Sequence, residues 1–396
     1  MRARPWLILA AIALARIGFG YQYQTVATLG PELMHSFQLD YATLGTLIGA
    51  FMLFGGFLAL PLGLLGRRFG DRLVLGGGLA LMVCGPLVSM FSVGPGGIGI
   101  GRAIAGVGAV AMIVLQNKII ADWFTGHRLM WALSTSSAAY PVGVGLAQLV
   151  LPPLTETYGW QAAFLSDGLP MAVALGLFLL SYRPSPHIAA QPRTFSLPSG
   201  RECLLLIVAG LIWTAYTAGY SAYLGYVPSL MAVRGEGLVL TGVVLTIATW
   251  GNVPATMLGA GLATRFGGFG VFLFSTAALV VGIGGAAIFD RPVTFAIMIG
   301  IGGSLHPGII MAVGTLSARP ENRAVGMGLF YSMYYAGGAV VPALCGWAAD
   351  GYGSPEGALL AAAVVSVLAL PMFLLHRRMA ADVIPARSVQ VGRRAT

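Results

Sequence analysis

Residues 269–289 read FGVFLFSTAALVVGIGGAAIF, twenty-one positions in a row without a charge. That length matches the ~20 residues an α-helix needs to cross the hydrocarbon core of a bilayer. It lacks the ~10-residue alternation of a transmembrane β-strand. The stretch is therefore a membrane-spanning helix, and it is one of a series. Comparable runs, bounded by charge, Pro or Gly clusters, fall at roughly 6–28, 42–65, 72–93, 97–121, 129–152 and 160–181, and at 202–230, 238–263, 292–316, 324–349 and 356–376. The expected fold is an all-α integral membrane protein of twelve transmembrane helices, six in each half.

Composition agrees. Of 396 residues, 57% are apolar and only 9% charged, against about 25% charged in a soluble domain. A soluble enzyme, a disordered chain and a nucleic-acid binder are excluded on that ground. The net charge of +9 is what the cytoplasmic loops of a membrane protein accumulate. With the N-terminus inside, eighteen of the 22 Lys and Arg residues fall on the cytoplasmic side. Only Arg234 and Arg291 fall outside, while Arg16 and Arg102 lie within spans. The bias places both termini in the cytoplasm and fits an even number of spans. The opposite loops carry Glu32, Asp40, Glu156, Glu236, Asp290, Asp350 and Glu356. The expected location is the bacterial inner membrane, multi-pass, with the lipid bilayer as the main partner and a monomer as the working unit.

A solvated linker with four prolines, Pro184, Pro186, Pro192 and Pro198, divides the chain. The expected units are a first bundle at 1–181, the linker at 182–200, a second bundle at 201–378 and a cytoplasmic tail at 379–396. The halves repeat each other. Arg68-Phe69-Gly70 is echoed by Arg265-Phe266-Gly267, Arg128 followed by Tyr140 is echoed by Arg323 followed by Tyr335, and Tyr158-Gly159 by Tyr352-Gly353. The offset is about 195 residues throughout, which marks two homologous six-helix bundles.

These features together resemble the major facilitator superfamily of secondary transporters, a fold built from two parallel-related six-helix halves. The loop Gly63-Leu64-Leu65-Gly66-Arg67-Arg68-Phe69-Gly70-Asp71-Arg72 is similar to the family's signature between spans two and three. Arg67 occupies the position where the family has Asp, and the acid appears later as Asp71. The resemblance implies a coupling or gating role for Gly63, Arg68, Gly70, Asp71 and Arg72. Gly101-Arg102 with Gly106 and Gly108 is similar to the family's fourth-span arginine motif, which implies gating or proton coupling at Arg102. Tyr140-Pro141-Val142-Gly143-Val144-Gly145 is a degenerate form of the exchangers' Gly-Pro motif. At the end of span four, Asn117-Lys118-Ile119-Ile120-Ala121-Asp122-Trp123-Phe124 resembles bacterial nitrate/nitrite and cyanate permeases. The arginines that nitrate porters carry in spans two and eight are absent here.

Charges inside a bilayer are costly and need a partner or a wet cavity. Only Arg16, Arg102 and Asp167 qualify. Arg16 lies near mid-depth of span one, with Gly20, Tyr23 and Ala27 on one face and Gln24 close by, and no carboxylate on that helix. An arginine so placed is a clamp for a carboxylate or small oxyanion; the competing reading is a structural arginine bound to a carbonyl. Arg102 and Asp167 sit at similar depth, so either they pair or they couple protons. The second half offers Trp213, Tyr216, Tyr220 and Tyr223 in span seven, Thr249, Trp250 and Asn252 in span eight, Ser304 and His306 in span ten, and Tyr331, Tyr334 and Tyr335 in span eleven. About half of such aromatics serve packing, although tyrosine hydroxyls in hydrocarbon need partners. The candidate cargo contacts are Arg16, Tyr23, Gln24, Tyr140, Trp213, Tyr216, Tyr220, Asn252, His306, Tyr331 and Tyr335. No mid-depth acid faces them, which disfavours cationic cargo.

The expected activity is alternating-access transport of a small anion, an organic carboxylate or inorganic oxyanion, by proton symport or anion exchange. An exporter of neutral or hydrophobic compounds is the alternative. A membrane-embedded transferase is a third reading, and it lacks a His–acid pair. Cys84, Cys203 and Cys345 have no paired spacing, and no metal, phosphate-loop or nucleotide signature is present; no cofactor or metal is expected.

Overall fold

The computed structural model describes residues 4–183, 198–319 and 322–381; most of the linker and of the tail lies outside them. Every described element is helical. The first half contains α1 (Arg4–Thr28), α2 (Gly30–Phe37), α3 (Tyr41–Ala50), α4 (Gly55–Phe69), α5 (Asp71–Met90), α6 (Pro95–Trp123), α7 (Gly126–Tyr158) and α8 (Trp160–Ser181). The second contains α9 (Gly200–Val233), α10 (Leu238–Phe266), α11 (Gly268–Ile288), α12 (Pro292–Ile301), a 3-10 turn at Gly302–Ser304, α13 (Pro307–Leu316), α14 (Arg323–Tyr352), α15 (Glu356–Val367) and α16 (Ala369–Ala381).

Eleven helical stretches are long and apolar enough to cross a membrane. The expected run 324–349 is the 30-residue helix α14, about 45 Å long at 1.5 Å per residue. It is not among the eleven, because Tyr331, Tyr334, Tyr335 and its glycines dilute its apolar character. Three expected runs are two helices each: α3 with α4, α12 with α13, and α15 with α16. The short helix α2 was not expected. Its start is set by Pro31 at the first turn, and Gln38 closes it in the left-handed region at φ 51°.

The sequence repeat has a backbone cause. Gly70, Gly159, Gly267 and Gly353 follow α4, α7, α10 and α14 with φ of 86°, 79°, 83° and 81°. Side chains rarely adopt that region, so glycine recurs at the same four turns. The preceding arginines also repeat their contacts: Arg68 stacks on Phe69 at 5.4 Å and Arg265 on Phe266 at 5.3 Å.

Within the first half α1 packs on α7 and α8, and α5 on α6 and α8; in the second, α9 packs on α14 and α15, and α10 on α12. The halves meet where α3 and α4 cross α14, α7 crosses α10 and α1 meets α9. The α1–α7 contact is backbone on backbone. A side chain on Gly143 would strike the Ile17 carbonyl, and one on Gly20 the Tyr140 carbonyl. Gly143→Val is therefore expected to destabilise the protein by about 1–3 kcal/mol, the usual scale of overpacking. Thermal unfolding in detergent checks this, and an unchanged midpoint would contradict the close approach.

Candidate functional site

Arg16 projects from α1 into a cluster of rings contributed by both halves. Its guanidinium carbon lies 5.3 Å from the ring centroids of both Phe19 and Tyr140. The phenols of Tyr140, Tyr331, Tyr334 and Tyr335 are in electrostatic reach of it. Its Nε is buried without a hydrogen-bond partner. Among the described residues no carboxylate stands within ion-pair distance of it. The rings form two groups, one from each half. Phe19 meets Tyr140 at 5.4 Å, Tyr334 meets Tyr335 at 5.2 Å and Trp213 at 6.5 Å, and Trp213 meets Tyr216 at 5.9 Å. Tyr140 and Tyr335, equivalent in the two halves by sequence, thus both stand near one arginine. Phe19 was not singled out in the sequence, although its spacing of three from Arg16 places it on the same helix face.

The remaining cargo candidates divide. Tyr23 and Gln24 bind across the halves, Tyr23 through its hydroxyl to Ser221 and Gln24 through Nε2 to the Leu224 carbonyl at 3.2 Å. Tyr220 donates to the Ala248 carbonyl at 3.1 Å. Asn252 donates to the Tyr216 hydroxyl at 3.1 Å and to Ser304 at 3.0 Å. His306 stands at the break between α12 and α13, wholly buried against the Tyr216 ring. Ser275 gives its hydroxyl proton to the Gly302 carbonyl (2.9 Å) while accepting the Leu305 N–H (3.0 Å). His306 Nδ1, 2.6 Å from the same oxygen, is then the donor of that contact, and Nε2 is a bare acceptor without a partner. In this conformation His306 packs edge-on against Tyr216 at 4.3 Å and Phe272 at 5.3 Å.

The second group of candidates acts locally. Arg102, for which a charge pair with Asp167 is one of two readings and gating or proton coupling the other, makes no direct ion pair with Asp167. Its guanidinium donates to the backbone carbonyls of Gln22, Tyr23 (3.2 Å), Leu47 (3.4 Å) and Ile48 (3.4 Å), above the Phe51 ring at 4.6 Å. This explains the break between α3 and α4. Met52 N–H turns to Gly49 and Leu53 N–H to Ala50, each three residues back, and Arg102 serves carbonyls that this tightening releases. Asp167 accepts instead from Thr25 Oγ1 at 2.5 Å. In the signature loop, Asp71 pairs with Lys118, which also lies 3.7 Å from Asp122. Arg72 donates to the Leu179 carbonyl at 2.8 Å. Arg68 lies on Phe69, Gly70 supplies the turn, and Gly63 has only Val114 near it. These contacts stay within the loop's own half.

The opposite end is where the halves are fastened. Asp350, at the end of α14, accepts the Tyr41 and Ala42 N–H groups of α3 at 2.9 Å each, and Asp40 caps α3 through Thr43 N–H at 2.8 Å. The Tyr226 hydroxyl reaches the carbonyls of Tyr41 (3.0 Å) and Pro342 (2.7 Å). Trp250 donates to the Pro141 carbonyl at 3.1 Å, and Gln148 meets Thr249 at 3.3 Å. Gly45 and Gly49 of α3 lie directly on the Pro342 and Ala339 carbonyls of α14.

Two helical halves clasped at one end around a shared polar and aromatic interior define a membrane carrier. The model of the Major Facilitator Superfamily matches residues 12–339, and the chain belongs to that family. Among curated relatives it is 24% identical over 224 residues to the inner membrane transport protein YajR of Escherichia coli, covering 52% of this chain and 48% of YajR. It is 28% identical over 160 residues to a gentisate transporter of Corynebacterium glutamicum, covering 39% of this chain and 36% of that protein. The matches thus span about half or less of these relatives. A bacterial homologue of the human lysosomal transporter Spinster, solved in an inward-facing and occupied conformation, shares the fold with a TM-score of 0.74 over 96% of this chain and 98% of its own, at 16% identity.

Proposed function

We propose that this transporter carries a small organic anion, with an aromatic carboxylate as the first choice, seated on Arg16 between Phe19 and Tyr140 on one side and Tyr331, Tyr334 and Tyr335 on the other. One observation carries the reading: a half-buried guanidinium in a ring-lined interior with no acid to neutralise it. Its planar fork matches a carboxylate, and the surrounding rings offer stacking surface to a flat cargo. The gentisate transporter supports it as well, since gentisate is itself an aromatic carboxylate. Nitrate, nitrite and cyanate are the smaller members of the same charge class. Lys118, in the segment that resembles porters of these ions, is engaged with Asp71 and Asp122, so the likeness bears on charge class more than on contacts.

The chain works as a monomer of twelve spans in the inner membrane, with α14 counted as the eleventh and both termini cytoplasmic. The end fastened by Asp350 then faces outward, and the cargo site is closed to that side. Alternating access consists of rocking the two halves, which parts α3 from α14 and α7 from α10. Either proton symport, with Asp167 as the buried acid, or exchange against a second anion drives the cycle.

The test is ligand-induced thermal stabilisation of the purified protein against aromatic and aliphatic carboxylates, nitrate, nitrite, cyanate, neutral drugs and cationic drugs. A ligand present at 100-fold over its Kd stabilises by ~2.7 kcal/mol, and one anion class is expected to do so. Stabilisation by neutral compounds alone would overturn the anion reading in favour of an exporter of uncharged molecules. Uptake of the stabilising anion into liposomes, with and without a pH gradient, separates symport from exchange.

A further inference from the structure

On the face of α1 opposite Arg16, a small void of about 10 Å³ lies among Gln22, Ser89, Arg102 and Asp167. That is at the lower bound of the space one water molecule occupies. The hydrogen-bonding groups around it are unevenly satisfied. Gln22 spends both Nε2 protons, on the Met82 carbonyl (2.7 Å) and the Asp167 carbonyl (3.1 Å). This fixes the orientation of its amide and leaves Oε1 a buried acceptor without a partner. Among the described residues Asp167 receives the Thr25 hydroxyl alone, on Oδ1, although a carboxylate has room for about four donors. Arg102 directs four N–H···O contacts to backbone carbonyls, and a guanidinium has five protons. The fifth, on Nη1, is left over.

We infer that this void is a binding site for a single water molecule, which accepts from Arg102 and donates to Asp167 and Gln22. The demand around the site is for one acceptor and two donors, and water supplies that set. A metal cation would sit beside the guanidinium, and an anion would face both the carboxylate and Gln22 Oε1. The water closes the Arg102–Asp167 charge pair that the side chains leave open. It thereby offsets the cost of holding two charges in the bundle and ties α1, α6 and α8 at one point. The site is independent of the cargo assignment, since Gln22 and Thr25 point away from the face that carries Arg16 and Tyr23.

An experimental structure at a resolution that shows ordered water is the test, on the wild type and on Asp167→Glu. The expected result is one density peak within hydrogen-bond distance of Asp167, Gln22 and Arg102 in the wild type. In Asp167→Glu the longer carboxylate replaces the water and meets Arg102 directly, with the thermal midpoint close to that of the wild type. A wild-type structure with no peak there, or with Arg102 and Asp167 in direct contact, overturns the inference. The wild-type map decides even if the variant fails to fold.

Discussion

On the proposed anion reading, Arg16→Gln is expected to abolish anion-induced stabilisation and to lower anion uptake by roughly a hundredfold, while the ligand-free protein keeps or raises its thermal midpoint. The two halves of this result have one cause. A charged hydrogen bond to a desolvated carboxylate is worth about 3 kcal/mol on removal of one partner, and at 1.4 kcal/mol per decade this is about two decades of affinity. Without cargo, Arg16 has no carboxylate partner and its Nε has no acceptor, so neutralising it removes a charge that the bundle holds at a cost. A structural arginine behaves in the opposite way. Had Arg16 been fastened as Arg102 is, by four carbonyl contacts, its loss would lower the midpoint. Arg16→Lys is expected to fall between, since it keeps the charge and loses the fork. Retention of anion binding within a few-fold in Arg16→Gln, or a large drop in the ligand-free midpoint, would remove the clamp from the mechanism.

How far the sequence reveals this protein depends on whether a feature is local. The uncharged run 269–289 declares a span by itself, and α11 covers it as Gly268–Ile288. The echo of Arg68-Phe69-Gly70 in Arg265-Phe266-Gly267 was readable because a positive φ demands glycine at both places. Arg16 stood out because no acid shares its helix, and the pairing of Tyr140 with Tyr335 around it follows from the repeat. What stayed hidden was the choice of distant partner. Sequence depth put Arg102 beside Asp167, yet carbonyls of α1 and α3 compete for the same protons and take them. The break in the second span has no proline or other breaker between Phe51 and Phe54, because its cause lies in Arg102 on another helix. Asp350 reads as a loop acid, and only the tertiary fold brings it to the first turn of α3.

That contact leads to the second large expected effect. Gly49→Val should drive open the end of the carrier that Asp350 fastens, the outward-facing end in the proposed orientation. The α3–α14 crossing has no space for a side chain: one on Gly49 would strike the Ala339 carbonyl, one on Gly45 the Pro342 carbonyl, and one on Gly346 the Tyr41 carbonyl. Such close crossings hold membrane helices together through backbone contact. The two helices belong to different halves, so separating them favours the other member of a two-state pair instead of unfolding either bundle. An overpacking penalty of about 1–3 kcal/mol then appears as a shift of roughly fivefold to 150-fold in the closed-to-open ratio. Cys345, buried on α14 next to Gly346 and close to Tyr226, whose hydroxyl reaches Tyr41 and Pro342, is a built-in reporter once Cys84 and Cys203 are replaced by Ser. Its reaction with an impermeant maleimide added from outside is expected to be slow in the parent and faster by that factor in Gly49→Val. Asp350→Asn gives a smaller acceleration, within about tenfold, because it weakens an exposed charge at a helix N-terminus and leaves the backbone crossing intact. Unchanged Cys345 reactivity in a Gly49→Val protein of normal thermal midpoint would mean that α3 and α14 do not part during the cycle. Acceleration in both variants, with the midpoint retained, identifies the crossing as the outer gate and Asp350 as the group that fastens it.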